Sequence, residues 1–297
     1  MKQWLISIYV EYHQEFQCSV ESDVMISTIE SKITLVNSSS IDLNSSGNNL
    51  QWQSPAHLLP IVYACPLAIL IAASEKLSLS MVMENLQILL KEKLNNITDK
   101  STAKISYLII DSGWFNFYLH PQMLAHWLQK LLSQVNLGRV NYDGGASGLT
   151  IAKANKLSNS FQLLPAQFIH ARCCSVMNLG ARAKLMTNWQ LPQSTFLVWF
   201  NEAQNLWSIR LSEYNLLRDL IIVTDRFASQ PRSNWSKTAL SLSQTTAIFL
   251  ADCRIFGEVQ QRFPQQAIAR LGLIAIVQHW LGRILEERLN LPAPTEL

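Results

Sequence analysis

Between Leu137 and Ser160 the chain loses its hydrophobic period. Gly138, Asn141, Gly144, Gly145, Gly148 and Asn155 stand where a packed element would need recurring apolar residues. A stretch of that kind cannot join a core, so the segments on either side must each bury their own apolar surface. The expected organisation is an α+β module over 1–134, a flexible Gly/Ser/Asn linker over 135–160 and an all-α helical bundle over 161–297. A chain of 297 residues that is 48% hydrophobic has enough apolar material for two such cores.

In the first segment, residues 37–53 are rich in Ser and Asn, which favour turns and side-chain-to-backbone bonding, and this predicts a surface loop. The apolar run from Leu58 to Ala73 contains Pro60 and Pro66, is shorter than a membrane span, and is expected to be a buried helix. Two helical segments are expected over Pro66–Lys76 and Leu79–Leu94. In the second, Met83, Leu86, Leu90 and Leu94 recur at helical spacing opposite Glu84, Lys91 and Glu92. The β-branched and aromatic runs Lys104–Ile110 and Trp114–Leu119, joined by Asp111, Ser112 and Gly113, predict a hairpin with glycine at a positive-φ position. Pro121 then opens a helix striped by Leu124, Trp127, Leu128, Leu131 and Leu132.

After the linker the period is helical throughout. Pro165 is expected to open one helix that Gly180 closes, Ser212 to cap another, and Pro264 to open a last long helix reaching Leu289.

Charged residues make up 15% of the chain and the formal net charge is +3, so no strong basic field marks a polyanion partner and any RNA contact must come from local patches. The five cysteines are odd in number, and the adjacent Cys173 and Cys174 would make a strained bridge; free thiols in a reducing cytoplasm are expected. The apolar stretch Trp4–Val10 lacks a small-residue cleavage site, so neither a secretory signal nor a membrane span is expected. His170, Cys173 and Cys174 share one helical neighbourhood, but no fourth ligand stands at zinc-like spacing, so a core thiol pair and no metal is the expectation. Hydrolase, phosphate-loop and metalloprotease strings are absent, and neither catalytic residues nor a cofactor are expected.

Four strings occur in an order that points to one family. The string from Phe168 to Met177 resembles the aromatic-x-His-Ala-Arg-x-x-Ser-hydrophobic helix that opens the anticodon-binding (DALR-type) domain of arginyl-tRNA synthetases. Glu213–Leu220 is similar to that domain's Glu-x-x-Leu-Leu-Arg helix, Phe249–Ile255 to its Cys-Arg helix, and Ala267–Pro294 to its closing helix and tail. In the first segment, Asp111–Phe117 followed by Leu124–Gln129 resembles the family's N-terminal module, which contacts the tRNA elbow. The family's ATP-binding domain should lie between these modules, where only the Gly-rich stretch stands, and no His-x-Gly-His string occurs. Lys156–Ser160 has a flavour of the Lys-Met-Ser-Lys-Ser loop but lacks its second lysine, and is taken as chance.

The resemblance implies a non-catalytic tRNA-binding relative of the synthetase, with tRNA, first of all arginine tRNA, as partner. Its implied contact residues are Asp111, Trp114 and Asn116 in the first module and Phe168, His170, Arg172 and Arg254 in the second. Physically, unpaired bases are read by stacking on aromatic faces and by amide hydrogen bonds, and phosphates by guanidinium groups. Alternation puts Trp114 and Asn116 on one strand face and Phe115 and Phe117 on the other; the mixed face suits RNA, and Trp114 equally suits packing on helices. Arg172 fits either a phosphate contact or a buried cation that fixes helix ends. The family's Tyr-Asn pair is replaced by Leu250 and Ala251, which removes base-discriminating groups. The alternative is a protein-interaction or regulatory module, partnered for example by a synthetase, that kept the fold and lost RNA binding.

Overall fold

The computed structural model describes residues 34–36, 61–98, 105–110, 113–119, 121–135, 157–185, 199, 210–229 and 233–296. The Ser/Asn-rich segment 37–53, positions 137–156 of the expected linker and Asp111 lie outside the described residues. Among the described residues the fold is mostly helical with one small antiparallel sheet. The chain divides into two compact units, Met1–Leu124 and Ala125–Leu297.

The sheet of the first unit has four strands, β1 (Thr34–Val36), β2 (Ile61–Cys65), β3 (Ile105–Ile110) and β4 (Trp114–Leu119), in the order β1-β2-β4-β3 with antiparallel neighbours. β3 and β4 form the expected hairpin. Ile110 pairs with Trp114 across the loop, and Gly113 sits at φ 83, where a side chain would be strained. The glycine is required twice over, because a Cβ there would lie 2.9 Å from Ile69 Cγ1 and from Leu79 Cδ1.

The run Leu58–Ala73 is not one helix. It is β2 followed by helix α1 (Leu67–Glu75), with Pro66 at the junction. Proline has no N–H and pushes the residue before it to extended backbone, so Cys65 ends a strand and Pro66 takes the helix N-cap position. β4 then receives β2 on one edge and β3 on the other, with Phe117 opposite both Tyr63 and Tyr107. The buried side chains of β4 include Phe115 and Phe117, stacked with centroids 6.2 Å apart, against which α1 packs through an inner face of Leu67, Ala68 and Ile71. Each such phenyl ring contributes up to about 3 kcal/mol by leaving water. Helix α2 (Leu79–Thr98) buries Val82, Leu86, Leu89 and Leu90 and exposes Glu84, Lys91 and Glu92, as its period predicts. Helix α3 (Pro121–Gln134) buries Leu124, Ala125, Leu128 and Leu131.

The second unit packs four longer helices: α4 (Leu157–Arg182), α5 (Leu211–Ser229), α6 (Trp235–Asp252) and α8 (Pro264–Arg283), with the short α7 (Glu258–Arg262) before the last. α8 touches α4, α5 and α6 and buries every residue from Ala269 to Val277. Apolar all round, it is the core helix of the bundle. The segment Pro264–Arg288 is long and apolar enough to cross a membrane by length and composition, but 72% of its apolar window is buried inside the unit.

Two helix starts differ from expectation. α4 begins at Leu157, reaching into the stretch read as linker and taking in 157–160 of the Lys156–Ser160 string, and Pro165 lies inside it rather than opening it. Pro165 is exposed, so the carbonyl four residues back, left without a donor, is on the side where water can serve it. Ser212 does not cap α5; it is buried, with Oγ 3.4 Å from Cys253 Sγ. The cap is Glu213, whose Oε2 accepts from the backbone N–H of Arg210 at 2.8 Å, the acidic half of a capping box. α8 opens at Pro264 as expected and ends in a π-helical turn, Ile284–Arg288.

Candidate nucleic-acid interface

Helix α4 carries no Asp or Glu between Leu157 and Arg182. Its inner stripe, Leu163, Ala166, His170, Cys173, Met177 and Gly180, repeats at steps of three and four and is buried. Gly180 lets α8 come close: a Cβ there would stand 2.5 Å from Leu271 Cδ2. At the other end of the pair, Gly282 of α8 faces His170 Nε2, 3.1 Å from where its Cβ would be. The two helices therefore run antiparallel.

The outer stripe of α4 holds Pro165, Phe168, Arg172, Leu179 and Arg182, all exposed. Phe168 is 52% exposed, an unusual degree for a phenyl ring, and Arg172 follows it by one turn. Arg172 is thus a surface cation and not a buried one. An aromatic face beside a guanidinium, on a helix free of carboxylates, is a surface able to stack an unpaired base and pair with the adjoining phosphate.

The remaining sequence-derived residues fall elsewhere. His170 is 3% exposed, on the inner stripe, and its Nδ1 donates to the carbonyl of Pro294 at 2.7 Å. Next to it Gln167 Nε2 donates to the carbonyl of Pro292 at 2.9 Å, so two side chains of α4 clasp the C-terminal tail. Burial lowers the His170 pKa below its usual value, against the opposing pull of the Pro294 carbonyl and of Glu286. Arg254 is exposed in the turn after α6, and its backbone carbonyl accepts from Arg270 Nη1. In the first unit Trp114 is part-buried and Asn116 is buried at 3%, so the mixed strand face does not offer its amide to solvent. Ala251 is exposed and Leu250 part-buried, leaving an apolar surface at that turn of α6.

Cys173 is fully buried, and burial pushes its thiol far above the usual range; Cys174, also raised by burial, has Sγ 4.0 Å from His170 Nδ1. Cys65, Cys173, Cys174 and Cys253 are not in disulfide bonds, and among the described residues no group of three or more His, Cys, Asp or Glu side chains is arranged to hold a metal ion.

Sequence reasoning missed the pair that fixes Arg254. Arg270 Nε bonds Glu213 Oε1 at 2.8 Å, both side chains nearly buried, and Arg270 Nη1 reaches the Arg254 carbonyl, tying α5, α8 and the turn after α6 together. An arginine in the otherwise apolar run Ala267–Val277 was the available signal, since a buried cation needs a partner. Comparison of the chain with protein-family models, with curated proteins and with solved structures finds no match.

Proposed function

We propose that this chain is a non-catalytic tRNA-binding protein related to arginyl-tRNA synthetase, its helical unit a DALR-type anticodon-binding bundle, acting in the cytoplasm without a ligase site of its own. The observation that carries the proposal is the outer stripe of α4, where Phe168 and Arg172 stand exposed one turn apart with no carboxylate on the helix. Base stacking supplies roughly 1–3 kcal/mol per nucleotide, and a phosphate contact adds a salt-dependent increment. The buried Asn116 and His170 are structural in this reading, and the contact set is Phe168, Arg172, Arg254 and Trp114, with Asp111 kept on the resemblance alone.

Binding of the full chain to arginine tRNA and to an unrelated tRNA, at low and high salt, tests it. Salt-sensitive binding weakened by Phe168→Ala and by Arg172→Ala is the expected result. No binding at low salt sinks the proposal.

A second reading rests on a different observation. Leu164, Leu179, Leu211, Ile248 and Phe263 are also exposed on the second unit. These favour a protein-interaction module, which is recognised by affinity for a protein partner that is indifferent to ionic strength.

A further inference from the structure

The tRNA proposal leaves one cluster of the second unit unused, at the place where α5 ends, α6 begins and α8 runs into its π-helical turn. The Phe227 ring lies 4.7 Å from that of Trp235 and 5.0 Å from that of Trp280, centroid to centroid. Two guanidinium groups share the Phe227 ring: Arg283 Cζ is 4.8 Å from its centroid and Arg288 Cζ 4.7 Å. Arg283 also lies over Trp280 at 5.0 Å, and Arg288 over Trp235 at 5.2 Å.

The π turn is what brings the two cations together. In a regular α-helix residues five apart point about 140° away from each other, whereas the wider turn, closed by the Leu289 N–H on the Ile284 carbonyl, swings Arg288 back toward Arg283. Like charges on one ring repel, and Glu287 offsets them unequally: it takes Arg283 in a bidentate pair at 2.6 and 2.9 Å and acts on Arg288 through its charge. Arg288 is left with a buried Nε–H that has no hydrogen-bond partner, and Trp280, itself 7% exposed, has an Nε1–H in the same condition.

A buried donor without an acceptor costs about 1–3 kcal/mol. Both groups are donors only, so what the cluster lacks is an acceptor with negative charge and several oxygens. A phosphate group answers both requirements, since its oxygens take several N–H bonds at once and guanidinium stacked on aromatic rings keeps its in-plane donors free for them. We propose that the Arg288–Trp280 cluster is a phosphate-binding site, in which a phosphate group accepts from Arg288 and Trp280 while Arg283 stays on Glu287. The inference does not rest on the tRNA proposal. The phosphate belongs either to a polynucleotide backbone or to free phosphate, and one experiment separates the two.

The full chain, labelled with ¹⁵N in its tryptophan indoles, is titrated with inorganic phosphate and, separately, with a short single-stranded oligoribonucleotide, each against chloride of equal ionic strength. The Trp280 indole resonance is the one missing from Trp280→Phe. It is expected to move with phosphate, or with the oligoribonucleotide alone if the site takes only a polynucleotide backbone. Arg288→Lys, which keeps the charge and loses the Nε–H, weakens the response about tenfold. A Trp280 resonance that moves with neither ligand, that moves equally with chloride, or that responds unchanged in Arg288→Lys overturns the site. The wild-type titration decides this even if Arg288→Lys does not fold.

Discussion

His170 Nδ1 donates to the carbonyl of Pro294 at 2.7 Å, across 124 residues of sequence, and so fixes the C-terminal tail to the inner face of α4. Because the carbonyl can only accept, Nδ1 carries the proton, and the neutral ring leaves Nε2 bare toward Gly282.

This arrangement has a pH consequence. Burial depresses the His170 pKa, so the folded chain binds fewer protons here than the unfolded chain, and stability rises with pH. The contribution is complete above about pH 6.5 and is lost as pH falls from there through the folded pKa, at no more than about 1.4 kcal/mol per pH unit for one group. His279, also lowered by burial and by Arg283, adds a contribution of the same sign. Denaturant unfolding between pH 8 and pH 5 should show the wild type losing stability faster than His170→Asn, which keeps a donor for the tail and does not titrate. Equal slopes would remove His170 from the account.

Gly180 should resist substitution. Alanine normally stabilises a helix by about 1 kcal/mol over glycine. Here its Cβ meets Leu271 Cδ2 at 2.5 Å, and Leu271 is fully buried. Gly180→Ala is expected to lower stability by about 1–3 kcal/mol, measured by chemical denaturation, because overpacking outweighs propensity.

The Glu213–Arg270 pair should behave as a unit. Arg270→Met leaves a carboxylate buried without its partner, with an expected loss of about 3–5 kcal/mol. The double variant Glu213→Leu with Arg270→Met should lose much less than the two single losses combined. Simple additivity in that cycle would show that the two charges do not act together.

Phe168→Ala and Arg172→Ala should change stability by less than about 0.5 kcal/mol, since both side chains are exposed. Melting curves that overlay the wild type make any loss of tRNA affinity in these variants a statement about the surface. A large drop in melting temperature would mean that the outer stripe is a packing face instead.

Local chemistry determined much of this protein from its sequence alone. The hairpin was legible because β-branched and aromatic runs flank a loop ending in Gly113, the one residue type at ease with φ 83. α2 and α3 were legible because their apolar residues keep a helical period, and α8 because Pro264 opens a long apolar run; the four-residue step between Phe168 and Arg172 puts both on one face, and only the packing makes that face the outer one. Tertiary packing decided the rest. Whether Leu58–Ala73 was helix or strand depended on β4 being there to pair with Ile61–Cys65, which no local signal carries. Pro165 sits inside α4 because the packing of that helix on α6 and α8 outweighs one missing hydrogen bond. His170 belongs to the tail and not to the surface because residues far along the chain return to it, and a sequence window cannot see what returns. Periodicity fixes which side of a helix a residue takes, whereas burial depends on which distant segment covers that side.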